Sequence, residues 1–223
     1  MLGAVVEVYA TKWPEGVKPN GAIAFVDRDG VLNIGSPNYI NNPDELILLN
    51  GAAETIANLK RLGFMICIVT NQSAIFRNLW DEEKLHEIHN ELSRIMLKTN
   101  SDAFIDLIIT CPHRQFDRCS CRKPMPGMLY LGDKILRGDM SLPLQLNKNV
   151  AIPIEATTIN WWKDKPTPVH ELDLIVGDRK SDLGAGWGFG ARLFKVRADI
   201  GIIEVKERLL DPQDNGDFIQ PVR

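Results

Sequence analysis

No stretch of this 223-residue chain reaches the about 18 consecutive apolar residues that a membrane-spanning helix needs. Met1 to Ala10 contains Glu7 and no basic segment ahead of an apolar one, so a secretory leader is not expected either, and the chain reads as cytoplasmic. Positive charge is not in excess: 26 Lys and Arg stand against 29 Asp and Glu, a net charge of −3. That balance leaves no electrostatic footprint for nucleic acid or an anionic membrane surface. Cysteine is scarce, four in all, and three of the four lie between residues 111 and 121. An odd number of thiols in one loop leaves one over from any disulfide, and cytosolic thiols stay reduced.

What the chain does have is a carboxylate pair where chemistry can use it. Ala22-Ile23-Ala24-Phe25-Val26 is an unbroken apolar run, read as a buried strand of a mainly parallel sheet, and it leads into Asp27-Arg28-Asp29-Gly30-Val31. Ligands bind outside the carboxyl ends of such strands, so both acids emerge where a substrate can meet them. Two like charges this close are unfavourable without a cation, so the pair calls for a divalent metal. A second apolar run, Ile66 to Val69, ends in Thr70-Asn71-Gln72-Ser73, whose hydroxyl and amide groups suit phosphate oxygens. A third, Leu172 to Val176, delivers Asp178 and Asp182, which can complete a metal site. Lys123, within Cys121-Arg122-Lys123-Pro124, supplies a point charge able to offset that of a transferring phosphoryl group.

Cys111, His113, Cys119 and Cys121 form the pattern C-x-H-x5-C-x-C. Three thiolates and one imidazole make a closed tetrahedral zinc set, with no position left for substrate or water. Zinc is therefore expected to shape the loop that presents Arg122 and Lys123, and to do no chemistry itself.

Helical patterns alternate with the strands. One helix is expected from an Asn50 cap to about Leu62, terminated by Gly63; a second from Asp81 to about Lys98, with Leu85, Ile88, Leu92, Ile95 and Met96 on one face. A strand from Phe104 to Thr110 leads into the zinc loop, Pro126 and Gly138 bracket a third helix, and Ile202 to Leu210 suits a short one. The glycines at 184, 186, 188 and 190 are costly in a helix unless helix and sheet approach closely. His86 and His89 are spaced to share a metal, but no third ligand is evident in the sequence and both are expected to be solvated. Residues 139–170 read as an irregular insert, leaving the sheet edge opposite the acids, with Trp161, Trp162, Ile152, Ile154 and Ile159 as a satellite core or a contact surface. The polar C-terminal end is expected to be mobile.

Taken in order, the four strand-end segments resemble the motif set of the haloacid dehalogenase superfamily of phosphatases, over roughly residues 21–197. The resemblance implies one domain over residues 1–223, a doubly wound, Rossmann-like α/β sheet without a cap. It implies that Asp27 attacks phosphorus to form an aspartyl-phosphate, and that Asp29 serves as general acid and then base. Mg2+ would be held by the Asp27 carboxylate, the Asp29 backbone carbonyl and Asp178; Thr70, Asn71, Gln72, Ser73 and Lys123 would hold the phosphate, with Asp182 orienting Lys123 or the metal's waters. The zinc loop and C-R-K-P narrow the resemblance to the subgroup containing D,D-heptose 1,7-bisphosphate and histidinol-phosphate phosphatases.

For the heptose activity speak Asp27 to Asn33, Asn38-Tyr39-Ile40, Thr70 to Ser73 and Cys121 to Met128; for the histidinol activity, the five-residue spacer inside the zinc site. By the same resemblance Tyr39, Arg122 and Arg179 would contact a small phosphate ester, most simply at the 7-phosphate of a heptose bisphosphate, in a monomer or weak homo-oligomer. The chain departs from the heptose pattern at Gly35-Ser36-Pro37-Asn38, where the sugar would be read, and at Ala74 to Asn78, which replaces glycines. Two other readings stand beside these: a zinc-stabilised binding module without turnover, and hydrolysis of a nucleic-acid end phosphate, which the acidic balance disfavours.

Overall fold

The computed structural model describes residues 3–219. In chain order the elements are β1 (Ala4–Val8), β2 (Ile23–Val26), α1 (Ala52–Arg61), β3 (Met65–Asn71), α2 (Glu82–Thr99) and β4 (Leu107–Cys111), then α3 (Gly127–Leu136), β5 (Leu146–Val150), β6 (Leu174–Gly177), α4 (Lys180–Phe189), β7 (Arg192–Lys195) and α5 (Lys206–Leu210). The strands form one seven-stranded sheet in the order β5-β1-β4-β3-β2-β6-β7. From β4 through β7 all neighbours are parallel, while β1 is antiparallel to both β4 and β5.

Strands β2, β4 and β6 are buried at every position, as strands covered on both faces must be. On one face Ile56 and Leu59 of α1, Ile88, Leu92 and Met96 of α2 and Leu209 of α5 pack against Ala24, Ile66, Ile68 and Ile108. On the other, Met128, Leu129 and Leu131 of α3 and Leu183, Trp187 and Phe189 of α4 pack against Phe25, Cys67, Ile109 and Ile175. Helices on both faces of a mainly parallel sheet give the doubly wound α/β architecture the sequence implied.

The glycines of α4 explain themselves here. A Cβ at Gly186 would lie 2.2 Å from Ile175 Cγ2, so the helix can seat on the sheet only without a side chain there. Helix α1 departs from expectation: its cap is Gly51 in the left-handed region (φ 73°), with no side-chain capping bond, and Asn50 lies outside it. Ile203 sits so close that a Cβ at Gly51 would fall 2.7 Å from its Cδ1, which leaves glycine as the residue that fits. Asp81 does cap α2, accepting from Lys84 N at 2.9 Å.

Ala4–Val8 forms an interior strand of the sheet, second from its edge. Within 139–170, Leu146–Val150 forms the edge strand β5, and Trp161 stacks on Trp187 of α4 with ring centroids 5.7 Å apart. Ile152, Ile159 and Trp161 thus join the α3/α4 core and make no separate one, while Ile154 and Trp162 stay exposed. The polar end is also better tied than expected: Arg208 pairs with Asp214 and Asp217, and Asp217 N donates to Leu193 O. Residues 220–223 lie outside the described part.

The histidines of α2 are a further correction. His89 is fully buried, and His86 and His89 both point Nδ1 at Glu7 of β1, His86 at 2.7 Å. Only the pairing of β1 in the sheet brings Glu7 beneath α2, so neither histidine could be placed from its own neighbours.

Candidate active site

The carboxyl ends of β2, β3, β4 and β6 open on one edge, and there Asp27, Asp29, Thr70, Asn71, Gln72, Ser73, Arg122, Lys123, Asp178, Arg179 and Asp182 line a single cleft of about 650 Å3. Tyr39 and the Ile34–Pro37 segment form its outer wall, and no residue of 139–170 contributes. Gly30 allows the closure: with φ 76° it places its Cα where a Cβ would lie 2.9 Å from Asp178 Oδ2.

Lys123 is the centre of the charge arrangement. Its Nζ lies 2.8 Å from Asp27 Oδ1 and 2.6 Å from Asp182 Oδ1, and donates to Val69 O at 2.7 Å. Asp27, Asp178 and Asp182 each offer an oxygen within 4.8 Å of the others. Three carboxylates around one ammonium leave uncompensated negative charge, and Asp178 Oδ1 is buried without any partner. That donor set and that orphaned oxygen fit a hard divalent cation.

Burial pushes Asp27 up to about 7; Lys123 opposes this, and Asp182 adds to it. Asp178 is likewise raised, by burial and then by Asp182. Burial alone would lower Lys123, but Asp182 and Asp27 outweigh it and hold the ammonium above its ordinary value. The consequence for stability has a definite sign. A carboxyl that rises from 3.8 to about 7 on folding stabilises the fold below the lower value, and this contribution vanishes as pH rises through the upper one. Without divalent cation, the melting temperature of the wild type relative to Asp27→Asn is expected to fall from about pH 5 to about pH 8, and added Mg2+ to reverse the fall only in the wild type. Parallel melting curves for the two proteins across that range would count against the assignment.

Asp29 is gripped differently. Arg28 Nη2 reaches Oδ2 at 2.9 Å and Oδ1 at 3.0 Å, Asn33 Nδ2 donates to Oδ1 at 2.9 Å, and Gln72 Nε2 donates to Oδ2 at 2.8 Å. Burial would raise this carboxyl, but the Arg28 charge and the amide bonds from Asn33 and Gln72 prevail and keep it below its ordinary value. Asn33 and Arg28 went unassigned in the sequence because nothing local shows that their side chains turn back to Asp29.

The remaining polar residues divide by partner. Thr70 Oγ1 accepts from Gln72 Nε2 at 3.0 Å and so keeps its own proton free for the cleft. Asn71 bonds the Lys123 backbone at both ends, accepting from N at 3.2 Å and donating to O at 3.3 Å. One of its two amide hydrogens is left for the cleft that Asn71 lines. Ser73 Oγ lies 2.9 Å from Tyr39 Oη, and Arg122 Nη1 donates to His113 O at 2.9 Å. Arg179 is mostly exposed, 3.7 Å from Asp178, while its backbone N donates to Asp182 Oδ2.

Beside the cleft, Cys111, His113, Cys119 and Cys121 converge, with Sγ to Sγ contacts of 3.2 and 3.5 Å and His113 Nδ1 at 3.1 Å from Cys121 Sγ. All four cysteines are unpaired. Metal bonds of about 2.0–2.3 Å in a tetrahedron put donor atoms somewhat over 3 Å apart, so the cluster is compatible with a closed zinc site. Ser120 O accepts from Gly127 N at 3.1 Å, which ties the end of this loop to the start of α3.

The family described as polynucleotide kinase 3 phosphatase matches residues 23–149, more than half of the chain. Among individual proteins, the chain is 39% identical over 106 residues to D-glycero-beta-D-manno-heptose-1,7-bisphosphate 7-phosphatase of Bordetella bronchiseptica, covering 48% of this chain and 58% of that protein. It is 39% identical over 108 residues to the Pseudomonas aeruginosa protein of the same name, covering 48% and 60%. The matches thus span under two thirds of these relatives. The fold is similar to that of the crystal structure of D,D-heptose 1,7-bisphosphate phosphatase from B. bronchiseptica complexed with magnesium and phosphate, with a TM-score of 0.60 and 29% identity over 83% of this chain and 85% of that one. Among the described residues no helix is long and apolar enough to cross a membrane. By its matched residues and its strand-end motifs, the chain belongs to the polynucleotide kinase 3 phosphatase family, of the haloacid dehalogenase type.

Proposed function

We propose that this chain is a Mg2+-dependent phosphomonoesterase that works through an aspartyl-phosphate and acts on a sugar bisphosphate, removing the 7-phosphate of D-glycero-D-manno-heptose 1,7-bisphosphate. The observation that carries the reading is the Asp27 carboxylate, set at the floor of the cleft against Lys123 with Asp178 and Asp182 beside it. Asp27 attacks phosphorus, and Lys123 offsets the charge on the phosphoryl oxygens. Asp29, two residues on and partly open to the cleft, is held ionised by Arg28 in the free site; as general acid it first takes up a proton as the substrate phosphate enters beside it, gives that proton to the leaving oxygen, and then takes one from the attacking water. The Asp27 carboxylate, the Asp29 carbonyl and Asp178 would hold Mg2+, which when bound neutralises charge on the transferring group. Thr70, with its free hydroxyl proton, and Ser73 face the phosphate; Asn71 acts by fixing Lys123, and Gln72 by fixing Asp29.

Tyr39, Arg122 and Arg179 also line the cleft and would contact the rest of the substrate. Zinc in the Cys3His cluster would hold the loop that ends at Arg122 and Lys123. Unpaired thiols in that cluster suit a reducing cytoplasm.

Names of the similar proteins favour the heptose substrate, the short zinc-loop spacer favours histidinol phosphate, and the family description favours a 3'-phosphorylated nucleic-acid end. Phosphate release with Mg2+ from a panel of heptose 1,7-bisphosphate, other sugar bisphosphates, histidinol phosphate and a 3'-phosphorylated oligonucleotide separates them. A kcat/KM at least tenfold higher for the heptose compound is expected, about 1.4 kcal/mol of discrimination. Preference for another member of the panel replaces the substrate assignment, and no turnover of any member favours the binding-module reading.

A further inference from the structure

We infer that Glu7 and His89 are positioning residues, through which β1 and α2 hold the Arg28 guanidinium against Asp29. The inference rests on the reading of Asp29 as general acid and base. Arg28 stands between the two acids in sequence, yet it does not line the cleft; its side chain is wholly buried beneath it. A buried guanidinium needs partners for its fixed fork of donors. Nε and Nη2 are met by Asp29, at 3.1 Å to Oδ1 and 2.9 Å to Oδ2, and Nη1 lies 3.2 Å from His89 Nε2. Arginine only donates, so His89 Nε2 must be the accepting nitrogen and the ring proton sits on Nδ1. Nδ1 faces Glu7 Oε2, while the other oxygen of Glu7 meets His86 Nδ1 at 2.7 Å.

The result is a buried chain, Glu7 to His89 to Arg28 to Asp29, whose first three members show 0–1% exposure. Among the described residues, Glu7, His86 and His89 do not form a set whose ligand atoms all lie within 4.8 Å of one another. The geometry of the buried chain is that of a carboxylate orienting an imidazole, which in turn orients a working group. Arg28 cannot swing away from Asp29 without leaving His89 Nε2 unpartnered inside the protein, so the Asp29 carboxylate is held from behind as well as by Asn33 and Gln72. Neither Glu7 nor His89 touches the cleft, and both act through Arg28.

Two substitutions of equal polarity test this. The amide of His89→Asn reaches the Nδ1 position and can still donate to Glu7, but it ends short of Arg28. The longer His89→Gln can place an acceptor where Nε2 was. On protein loaded with zinc and Mg2+, with heptose 1,7-bisphosphate as substrate, His89→Asn is expected to lower kcat about 10- to 100-fold with KM within about twofold, and His89→Gln to recover most of the loss. Adding His89→Asn to Asp29→Asn should cost nothing further. Wild-type kcat in both His89 variants, or equal losses of kcat in both at unchanged melting temperature, would overturn the inference. Wild-type kcat in Asp29→Asn would instead overturn the acid-base reading beneath it. A measurement on the unmutated protein guards against misfolding of the variants: 15N spectra should show His89 with its proton on Nδ1 and a bare Nε2, and a proton on Nε2 would dismiss the chain outright.

Discussion

Replacing Asp27 by asparagine is expected to lower phosphate release by about four orders of magnitude or more, with the fold intact. Asparagine matches aspartate in shape but lacks the charge that, on the proposed function, attacks phosphorus and helps hold Mg2+. The fold should survive because Lys123 keeps two of its partners, Asp182 Oδ1 at 2.6 Å and Val69 O at 2.7 Å, and an asparagine oxygen can still accept from its Nζ. Removing a carboxyl that burial pushes up to about 7 also relieves a strained ionisation when no cation is present. Long incubation with the substrate panel and a sensitive phosphate assay checks the loss, and a melting curve checks the fold. Turnover within tenfold of wild type would exclude Asp27 as nucleophile. On the proposed function Asp29→Asn would slow each half of the reaction, whereas Asp27→Asn would remove the intermediate altogether.

Stripping zinc, by chelation or by Cys121→Ser, is expected to lower both the melting temperature and kcat, the latter about 10- to 100-fold or more. Residues 112–126 contain no helix or strand; besides the bonds of Lys123 and Asn71, their order rests on the Cys3His cluster, on Arg122 Nη1 bonded to His113 O, and on Phe76 packed edge-on against His113 at 4.6 Å between centroids. Structural zinc contributes on the order of 10 kcal/mol to the folding of the segment it organises. Without it three thiols and an imidazole would crowd one another around nothing, and the loop that delivers Lys123 to Asp27 would loosen. Activity would then fall through geometry, since Lys123 is two residues from Cys121. Zinc analysis, thermal melting and kcat on the same preparations check this; chelated protein free of zinc that keeps both values would show the loop is held by packing alone.

The chemistry-bearing groups were legible because they are local. Asp27, Thr70, Lys123 and Asp178 each follow an apolar run or a turn directly, and in a parallel sheet the ends of such runs share one edge whatever the loops do. The Cys3His pattern was legible for the same reason, as four ligand-type donors within one short segment can close on a single ion. Asp182 shows where local reading thins out: its sequence position allowed metal binding or support of Lys123 or the metal's waters, and the structure sets one oxygen on Lys123 and the other on the Arg179 amide. Asn71, expected as a phosphate ligand, lines the cleft and also braces the Lys123 backbone, a second contact its sequence position did not show.

The sequence by itself determined the strand-end acids, the alternation of strand and helix, the zinc-loop donors and the family these resemble, since all depend on neighbours along the chain. Only the tertiary structure decided that Ala4–Val8 enters the sheet, that Leu146–Val150 closes its edge, and that Glu7 and His89 meet behind Arg28. Those facts depend on strand pairings between residues about a hundred or more positions apart, such as Glu7 with Ile108. Such pairings are selected by burial of the whole sheet, and no short pattern in either segment records the partner.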